Sequence, residues 1–376
     1  MNIRDAETPR LLLDPERLDR NIARMAERCA DLGVTLRPHL KTPKSLHVAA
    51  RAVRDKQDPI TVSTLREAEY FAKGGYANIL CAAASARVKL DHADRIRRET
   101  GTQVLLVTDS VELVREAGSK AAGLGAEFRF LIEIDCGEHR SGVQPASPEL
   151  MAVARAIGDA SALSLAGVMT HAGHSYACDK PEDIAKLAQA ERDAAVSSAK
   201  ALRDAGHGCD IVSVGSSPTV LHAKSLEGVT EARAGVYLFW DLAQYSRGIC
   251  GLDDIAVTVL ATVIGHNRAG NALVLDAGAL ALSKDISANG FLPDAHYGYV
   301  CDAATMERFE GLSVVNAYQE HGMVPVHDES WFERLPIGSQ VRVLPNHTCM
   351  TCAAYDAYDV VEGERIVESW PRVNGW

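Results

Sequence analysis

The chain has 376 residues, a length that predicts one large domain with a smaller one rather than a single small module or three ordinary domains. Apolar residues make up 47% and charged residues 24%, which is typical of a globular protein. The 39 Lys and Arg residues against 50 Asp and Glu residues give a net charge of −11. An acidic chain without a basic cluster is a poor candidate for binding nucleic acid or an anionic membrane.

The ends of the chain and its cysteines bear on its location. No apolar run approaches the roughly 18–20 residues that span a bilayer, and residues 1–5 lack the apolar stretch of a signal peptide. We therefore expect a cytoplasmic protein. Nine scattered cysteines, an odd number, argue against a disulfide framework and suit small buried apolar positions. Only Cys349 and Cys352 are close enough in sequence to suggest joint chemistry.

The first predicted element is a helix. Asp14 suits the N-cap and Pro15 the first helical position. Apolar residues then recur at helical spacing as far as Cys29, and Gly33 is a stop signal. A capping-box pattern at residues 64–67 opens another helix, and residues 181–204, rich in alanine and charge, predict a third.

Short apolar runs alternate with these helical stretches, which predicts crossovers and a parallel sheet. Eight such units favour a (β/α)8 TIM barrel. An open doubly wound sheet is the alternative, but no glycine-rich phosphate loop follows the first strand. The eight candidate strands are Val34–Leu40, Pro59–Ser63, Asn78–Ala83, Gln103–Thr108, Phe128–Asp135, Leu165–Thr170, Asp210–Val214 and Ala232–Phe239.

The pattern changes after about residue 250. Short β-like runs with turns between them begin at residues 257, 272, 298 and 340, without a long helical period. We therefore predict an α/β protein with two domains. Residues 14–250 would form the barrel, and residues 251–376, together with 1–13, a mostly β domain.

Polar, glycine-flanked residues follow several predicted strands, where a barrel places its active site. Lys41 is the leading candidate, because a lysine at a strand end can form a Schiff base if burial lowers its pKa. Lys44 could take that role instead, and an ordinary exposed lysine is the simplest alternative. The Gly215-Ser216 and Ala234-Gly235 turns suit phosphate binding, although such turns are also common loops.

His347 and Cys349 suggest a metal site. With one residue between them, their side chains would share one face of an extended chain, and both are favoured zinc ligands. Two protein ligands leave room for substrate or water. A buried thiol beside an exposed histidine explains the pair equally well. The Cys349–Cys352 spacing also fits a redox motif, but the strand-then-helix context of that motif is not evident here.

Five segments together resemble the D-serine dehydratase / D-threonine aldolase family, pyridoxal-phosphate enzymes of the alanine racemase fold type. The resemblance covers nearly the whole chain, in order. The segments are Pro38–Thr42, Gly137–Gly142, Gly215–Thr219, Arg233–Tyr237 and Pro345–Cys349.

The resemblance implies a barrel plus a β domain, a homodimer with active sites near the subunit contact, and a small-molecule substrate. It also implies individual roles: Lys41 as the Schiff-base lysine, Arg140 near the cofactor ring, Tyr176 lining the cofactor pocket, Gly215, Ser216, Gly235 and Tyr237 holding the phosphate, His347 and Cys349 binding a divalent metal, and His174 where the aldolase branch carries a histidine that acts on the substrate hydroxyl.

The metal pair favours one branch of the family. The resemblance associates cysteine two residues after the metal histidine with the dehydratases and aspartate there with the aldolases. Cysteine favours Zn²⁺, whereas a carboxylate better suits Mn²⁺ or Mg²⁺. We therefore expect a pyridoxal-phosphate- and zinc-dependent dehydratase of D-serine, D-threonine or D-threo-3-hydroxyaspartate, giving a 2-oxo acid and ammonia. A D-threonine aldolase is the alternative. A racemase would not need the metal pair, and a pyridoxal-phosphate carrier would be the barrel alone.

Overall fold

The computed structural model describes residues 1–376, whose strands form one eight-stranded and one ten-stranded sheet. The strands are β1 (Arg10–Leu13), β2 (Thr35–Pro38), β3 (Ile60–Val62), β4 (Ile79–Ala84), β5 (Leu105–Thr108), β6 (Phe128–Ile134), β7 (Leu163–Thr170), β8 (Ile211–Val214), β9 (Glu231–Ala234), β10 (Val257–Asn267), β11 (Ala272–Leu275), β12 (Gly298–Asp302), β13 (Arg308–Ser313), β14 (Asn316–Ala317), β15 (Gly322–Pro325), β16 (Gln340–Pro345), β17 (Ala357–Glu362) and β18 (Arg365–Pro371).

The α-helices are α1 (Pro15–Asp31), α2 (Leu46–Ala52), α3 (Leu65–Lys73), α4 (Leu90–Thr100), α5 (Val111–Leu124), α6 (Pro148–Asp159), α7 (Pro181–Asp204), α8 (Ser217–His222), α9 (Leu242–Tyr245), α10 (Ala279–Leu282), α11 (Ser330–Arg334) and α12 (Thr348–Cys352). Short 3-10 turns lie at 3–5, 87–89, 173–177, 236–238, 252–254 and 293–295. None of the helices is both long and apolar enough to cross a membrane.

The eight-stranded sheet is the predicted parallel barrel. Its strand order is β2-β9-β8-β7-β6-β5-β4-β3, and every pair along that path is parallel. A parallel bridge between His39 and Thr61, where the Leu40 N–H donates to the Thr61 carbonyl at 2.8 Å, joins β2 to β3. All eight predicted strands are present, so the barrel prediction is confirmed.

The last predicted barrel strand is too long. β9 ends at Ala234, and residues 236–238 form a 3-10 turn in which the Trp240 N–H donates to the Val236 carbonyl at 2.7 Å. The predicted strand Ala232–Phe239 was wrong beyond Ala234, because a buried apolar run looks the same in a strand and in a buried turn.

The predicted helix starts are correct. Asp14 Oδ1 accepts from the N–H groups of Glu16 and Arg17, each at 3.0 Å. The Thr64 hydroxyl accepts from the Glu67 N–H at 3.1 Å, while the Glu67 carboxylate accepts from the Ser63 N–H at 2.9 Å. These caps satisfy N–H groups that a helix start leaves without partners.

A buried polar chain runs along the barrel strands. Arg37 Nε donates to Glu231 Oε1 at 2.7 Å, and the Ser213 hydroxyl donates to the same oxygen at 2.6 Å. Arg233 then donates to the Ser213 hydroxyl at 2.6 Å and to the Thr170 carbonyl. Each buried charge thus has hydrogen-bonding partners, which its burial requires.

The ten-stranded sheet contains the runs predicted after residue 250. Its main path is β13-β12-β16-β10-β1-β17-β18, with β11, β15 and β14 extending from β10. β1 lies between β10, its antiparallel partner, and β17, its parallel partner. The mostly β character predicted for this part of the chain is confirmed.

Contacts divide the chain into two compact units, residues 1–22 with 236–372 and residues 23–235 with 373–376. The first unit holds the ten-stranded sheet and the second holds the barrel. The predicted boundaries, 14–250 for the barrel and 251–376 with 1–13 for the β domain, remain a prediction.

Candidate active site

Lys41 follows β2, at the end of the barrel where an active site is expected. The sequence argument required this lysine to be buried, and that premise is wrong, because its side chain is exposed. Lys44 forms an ion pair at 3.2 Å with the buried carboxylate of Glu67, whereas Lys41 pairs with no carboxylate. The geometry therefore favours Lys41 over Lys44 as the reactive amine.

Two histidines lie close to Lys41. Burial lowers the pKa of His39 well below its usual value, and the nearby charges of Lys41 and Arg233 lower it further. Burial also lowers the pKa of His171 to about 3, with Lys41 again contributing. His171 Nδ1 lies 2.9 Å from the Gly215 carbonyl, which only accepts, so Nδ1 carries the hydrogen. Both rings are therefore neutral at physiological pH.

The Gly215-Ser216 turn follows β8, but its N–H groups already have partners. The Gly215 N–H donates to Glu191 at 2.9 Å, and the Ser216 N–H donates to Thr219 Oγ1 at 3.1 Å. A phosphate at this turn would therefore have to use side chains or other N–H groups. The Ser216 hydroxyl is one such group, and it already bonds to the hydroxyls of Ser175 and Thr219.

Close backbone contacts explain the two predicted phosphate glycines. A Cβ on Gly215, at φ 135°, would lie 2.3 Å from the Arg233 carbonyl oxygen, and one on Gly235 would lie 2.8 Å from the His39 carbonyl oxygen. The Gly235 N–H donates to no protein group. Tyr237 follows in the 3-10 turn and is fully buried.

The loop after β7 carries His174 and Tyr176 in the 3-10 turn Gly173–Ala177. Both are half-buried, and the Nδ1 atom of His174 is buried without a hydrogen-bond partner. Buried polar atoms in native proteins are normally paired. An orphaned ring nitrogen at this end of the barrel therefore suits a ligand group.

Arg140 lies in the loop after β6. Its exposed guanidinium is 3.5 Å from the carboxylates of both Glu133 and Glu138. Glu138 also accepts from the Gly173 N–H at 3.3 Å, which links this loop to the one that carries His174. Arg140 is thus linked through Glu138 to the loop that carries His174, and its charge is shared between two acidic partners.

Sequence reasoning missed three of the residues that shape this end of the barrel. Glu191, on α7, accepts hydrogen bonds from the loops after β7 and β8. Arg233 lies in one of the five motif segments and His171 directly follows the predicted strand Leu165–Thr170, but neither received a role. Burial lowers the pKa of the Arg233 guanidinium, and three acidic residues nearby offset only part of this shift.

His347 and Cys349 belong to the β unit, just after β16. The prediction placed them on an extended chain, and this is wrong, because His347 is the N-cap of α12 and Cys349 lies in its first turn. The side chains still meet, within hydrogen-bonding reach of each other. A helix start therefore achieves the pairing that the spacing suggested for a strand.

Asp285 orients this pair, and sequence reasoning missed it. His347 Nδ1 lies 2.9 Å from Asp285 Oδ2. Burial alone would lower the pKa of His347, but the bonds to Asp285 and Cys349 raise it to about 11, and the same bond to His347 lowers the pKa of Asp285. A carboxylate that holds Nδ1 leaves Nε2 for a metal, as in many metal sites.

The protein supplies only two metal-binding side chains here, since no group of three or more His, Cys, Asp and Glu residues is arranged to hold an ion. Such a pair leaves coordination positions for other ligands. None of the nine cysteines forms a disulfide bond. Burial raises the pKa of Cys352 to about 12, so its thiolate form is scarce and a redox role for the Cys349–Cys352 spacing finds no support.

Comparison with known proteins identifies the family. Residues 13–242 match the model of the alanine racemase N-terminal domain, and residues 256–361 match that described as "Putative serine dehydratase domain". The chain belongs to the D-serine dehydratase / D-threonine aldolase family. The resemblance read from the five sequence segments is thereby confirmed, as is the alanine racemase fold type.

The similar family members cover essentially the whole chain. D-threo-3-hydroxyaspartate dehydratase of Delftia sp. is 42% identical, over 98% of both chains, and D-serine dehydratase of Dictyostelium discoideum is 31% identical, over 100% of this chain and 98% of its own. The structure of the Delftia enzyme matches with a TM-score of 0.96 and 100% coverage of both chains.

Two further observations concern cofactors and the aldolase branch. A cysteine-to-alanine variant of D-threo-3-hydroxyaspartate dehydratase has been solved in a metal-free form. That variant is 41% identical to the present chain and matches it with a TM-score of 0.96 and 100% coverage of both chains. D-threonine aldolase of Arthrobacter sp. is more distant, at 25% identity over 97% of this chain and 91% of its own. The family depends on pyridoxal phosphate, as predicted.

Proposed function

We propose that this protein is a pyridoxal-phosphate- and zinc-dependent dehydratase of D-3-hydroxy amino acids, which releases a 2-oxo acid and ammonia. The observation that carries the proposal is the His347–Cys349 pair, oriented by Asp285. It occurs in a chain that is 42% identical, end to end, to a D-threo-3-hydroxyaspartate dehydratase. D-threo-3-hydroxyaspartate is therefore the first substrate to test, followed by D-serine and D-threonine. The cytoplasmic location stays a prediction.

The barrel residues fit the cofactor by the chemistry of their donors. Pyridoxal phosphate, when bound, supplies an electron sink for the bond broken at the α-carbon of the substrate. Lys41 offers an amine that can hold the cofactor and then accept the α-proton. The Gly235 N–H and the Ser216 hydroxyl, with Tyr237, would hold the phosphate, while Arg140 and Tyr176 would flank the ring.

The two metal ligands fit zinc. Zn²⁺, when bound, supplies a Lewis acid that makes hydroxide a workable leaving group. His347 Nε2 and the Cys349 thiolate would hold it, and Asp285 would keep the imidazole in the required orientation. The metal-free form of the cysteine variant of the relative supports a cysteine ligand. Thiolate with imidazole favours zinc over manganese or magnesium.

The aldolase alternative rests on His174. Its partnerless Nδ1 could take the proton of the β-hydroxyl, which would direct cleavage to the Cα–Cβ bond instead of the C–O bond. The sequence relation to the aldolases is weaker, however, at 25% identity against 42% for the dehydratase.

The match to the dehydratase domain over residues 256–361 also argues against a barrel-only cofactor carrier.

Product analysis separates these reactions. Protein loaded with pyridoxal phosphate and zinc is incubated with D-threonine. We expect 2-oxobutyrate and ammonia, with no product after the metal is removed by chelation. Glycine and acetaldehyde would overturn the dehydratase proposal in favour of the aldolase. L-allo-threonine as the product, formed by inversion at the α-carbon alone and with full activity in the absence of metal, would favour a racemase.

We also propose a homodimer. Large apolar side chains at Leu280, Ile286, Phe291 and Met350 are exposed on segments 279–292 and 348–352, which include or adjoin Asp285 and Cys349. Exposed apolar surface of this kind is typical of a protein contact. Sedimentation equilibrium tests the proposal, and a monomer at micromolar concentration would contradict it.

A further inference from the structure

We propose that Glu191 is a positioning residue that fixes the geometry of the cofactor's phosphate subsite, a role that rests on the proposed function. Glu191 lies in the middle of α7, away from the strand-end motifs, and its side chain is 1% exposed. A buried carboxylate is retained only where it is paired or hydrogen-bonded, because its burial is otherwise very unfavourable. Its hydrogen bonds therefore indicate what it does.

Four donors converge on this one carboxylate. Oε1 accepts from the Ala172 N–H at 3.0 Å, the Gly215 N–H at 2.9 Å and the Thr170 hydroxyl at 3.2 Å. Oε2 accepts from the Thr219 hydroxyl at 2.9 Å. The two N–H groups come from different loops, after β7 and after β8. A single oxygen atom therefore fixes the distance between those loops.

The residues next to Glu191 pass this constraint to the predicted site. The Gly215 carbonyl accepts from His171 Nδ1 at 2.9 Å, so the residue whose N–H Glu191 holds also orients this imidazole. The Thr219 hydroxyl, which donates to Glu191 Oε2, also accepts from the Ser216 N–H at 3.1 Å. The predicted phosphate residues Gly215 and Ser216 are thus both held, directly or through one atom, by Glu191.

Glu191 can fill this role only as an acceptor on both oxygens. Its countercharge is Arg233, which lies near enough to interact electrostatically and donates to the Thr170 carbonyl. The Thr170 hydroxyl in turn donates to Glu191. A glutamine at position 191 would keep the shape of the side chain, but an NH2 donor would replace one accepting oxygen. That NH2 group would face either the Thr219 hydroxyl or the N–H groups of Ala172 and Gly215.

The test compares two ligands that differ only in the phosphate. Dissociation constants of pyridoxal phosphate and of pyridoxal are measured on cofactor-free protein by fluorescence quenching, for the wild type, Glu191→Gln and the control Glu182→Gln. Glu182 is an exposed carboxylate in the first turn of the same helix. In Glu191→Gln we expect the constant for pyridoxal phosphate to rise about tenfold, equal to ~1.4 kcal/mol, and that for pyridoxal to change less than about twofold. Neither constant should change in the control.

A role confined to stability would give a different result. Equal weakening of both ligands in Glu191→Gln, or no weakening of either, would overturn the proposal. If Glu191→Gln fails to fold, Thr219→Val removes a single hydroxyl and should raise the constant for pyridoxal phosphate alone, by about threefold. Equal effects on both ligands in that variant would likewise overturn it.

These binding measurements use no substrate, so they separate the two proposals. Protein that binds pyridoxal phosphate with the expected dependence on Glu191 but dehydrates no D-hydroxy amino acid would overturn only the proposed function. Wild-type protein that binds neither ligand would overturn both.

Discussion

Replacing Asp285 by asparagine should weaken metal binding while leaving the fold intact. Oδ2 of Asp285 accepts from His347 Nδ1 at 2.9 Å, and Oδ1 accepts from the N–H of Ser287 at 2.8 Å and from its hydroxyl at 2.5 Å. An asparagine has one acceptor oxygen and one donor NH2 group. It can therefore keep the bond to His347 or the bond to the Ser287 N–H, but not both.

The expected size follows from the role of such carboxylates. Loss of the group that accepts the free ring N–H of a metal-bound histidine weakens metal affinity about 10- to 100-fold, equal to ~1.4–2.8 kcal/mol. The free energy of unfolding without metal should fall by only about 1 kcal/mol, because one hydrogen bond at a half-buried side chain is lost. The effect on metal affinity should therefore exceed the effect on stability.

Zinc affinity is measured by competition with a chromophoric chelator. Asp328→Asn is the matched control, since Asp328 also accepts from the N–H and hydroxyl of the serine two residues later, Ser330, but lies outside the metal pair. We expect its zinc affinity to stay within about twofold of the wild type. Equal zinc affinity of Asp285→Asn and the wild type, or equal losses in the two variants, would refute the reasoning.

Three further predictions concern the barrel. Borohydride reduction of cofactor-loaded protein should attach the cofactor to Lys41, and peptide mass spectrometry that finds it on Lys44 would contradict the assignment. The pKa of His171 is lowered to about 3 in the folded protein. When the pH falls below the ordinary pKa of a histidine, this residue therefore takes up a proton in the unfolded chain but not in the folded protein. The free energy of unfolding should therefore fall by about 2 kcal/mol between about pH 8 and about pH 5 because of His171. In cofactor-free His171→Gln, the fall over the same pH range should be smaller by about 2 kcal/mol. Equal pH dependence of the two proteins would exclude this contribution of His171. Glu231→Ala should lower the free energy of unfolding by about 3–5 kcal/mol, because it leaves Arg37 buried without its carboxylate, and urea unfolding that shows a loss below about 1 kcal/mol would contradict this.

The barrel was predictable because its information is local. Each strand is a short apolar run next to a helical pattern, and caps such as Asp14 mark where helices begin. The same local reasoning failed at Val236–Leu238, where an apolar run folds as a 3-10 turn instead of continuing β9. A buried run is apolar whether it forms a strand or a turn, and only the tertiary structure determines which backbone conformation it adopts.

The supporting residues of the site could not be predicted in this way. Asp285 lies 62 residues before His347, and nothing in the sequence between them indicates the contact. Glu191 did leave a sign, because it falls on the buried face of α7 with Ile184, Ala188 and Ala195. A charged residue at helical spacing within an apolar face is the pattern that could have revealed it.

Under the proposed function, Glu191 and Asp285 support two separate groups of site residues, one in the barrel and one in the β unit. The groups expected to react, Lys41 on the barrel and His347 with Cys349 on the β unit, lie at element ends, where backbone direction is set by caps and turns. Glu191 holds the loops after β7 and β8, and Asp285 holds the His347 imidazole, each by accepting N–H hydrogen bonds on a carboxylate. Substitutions at these two positions should therefore separate the binding of one cofactor from that of the other, with Glu191→Gln affecting pyridoxal phosphate and Asp285→Asn affecting the metal.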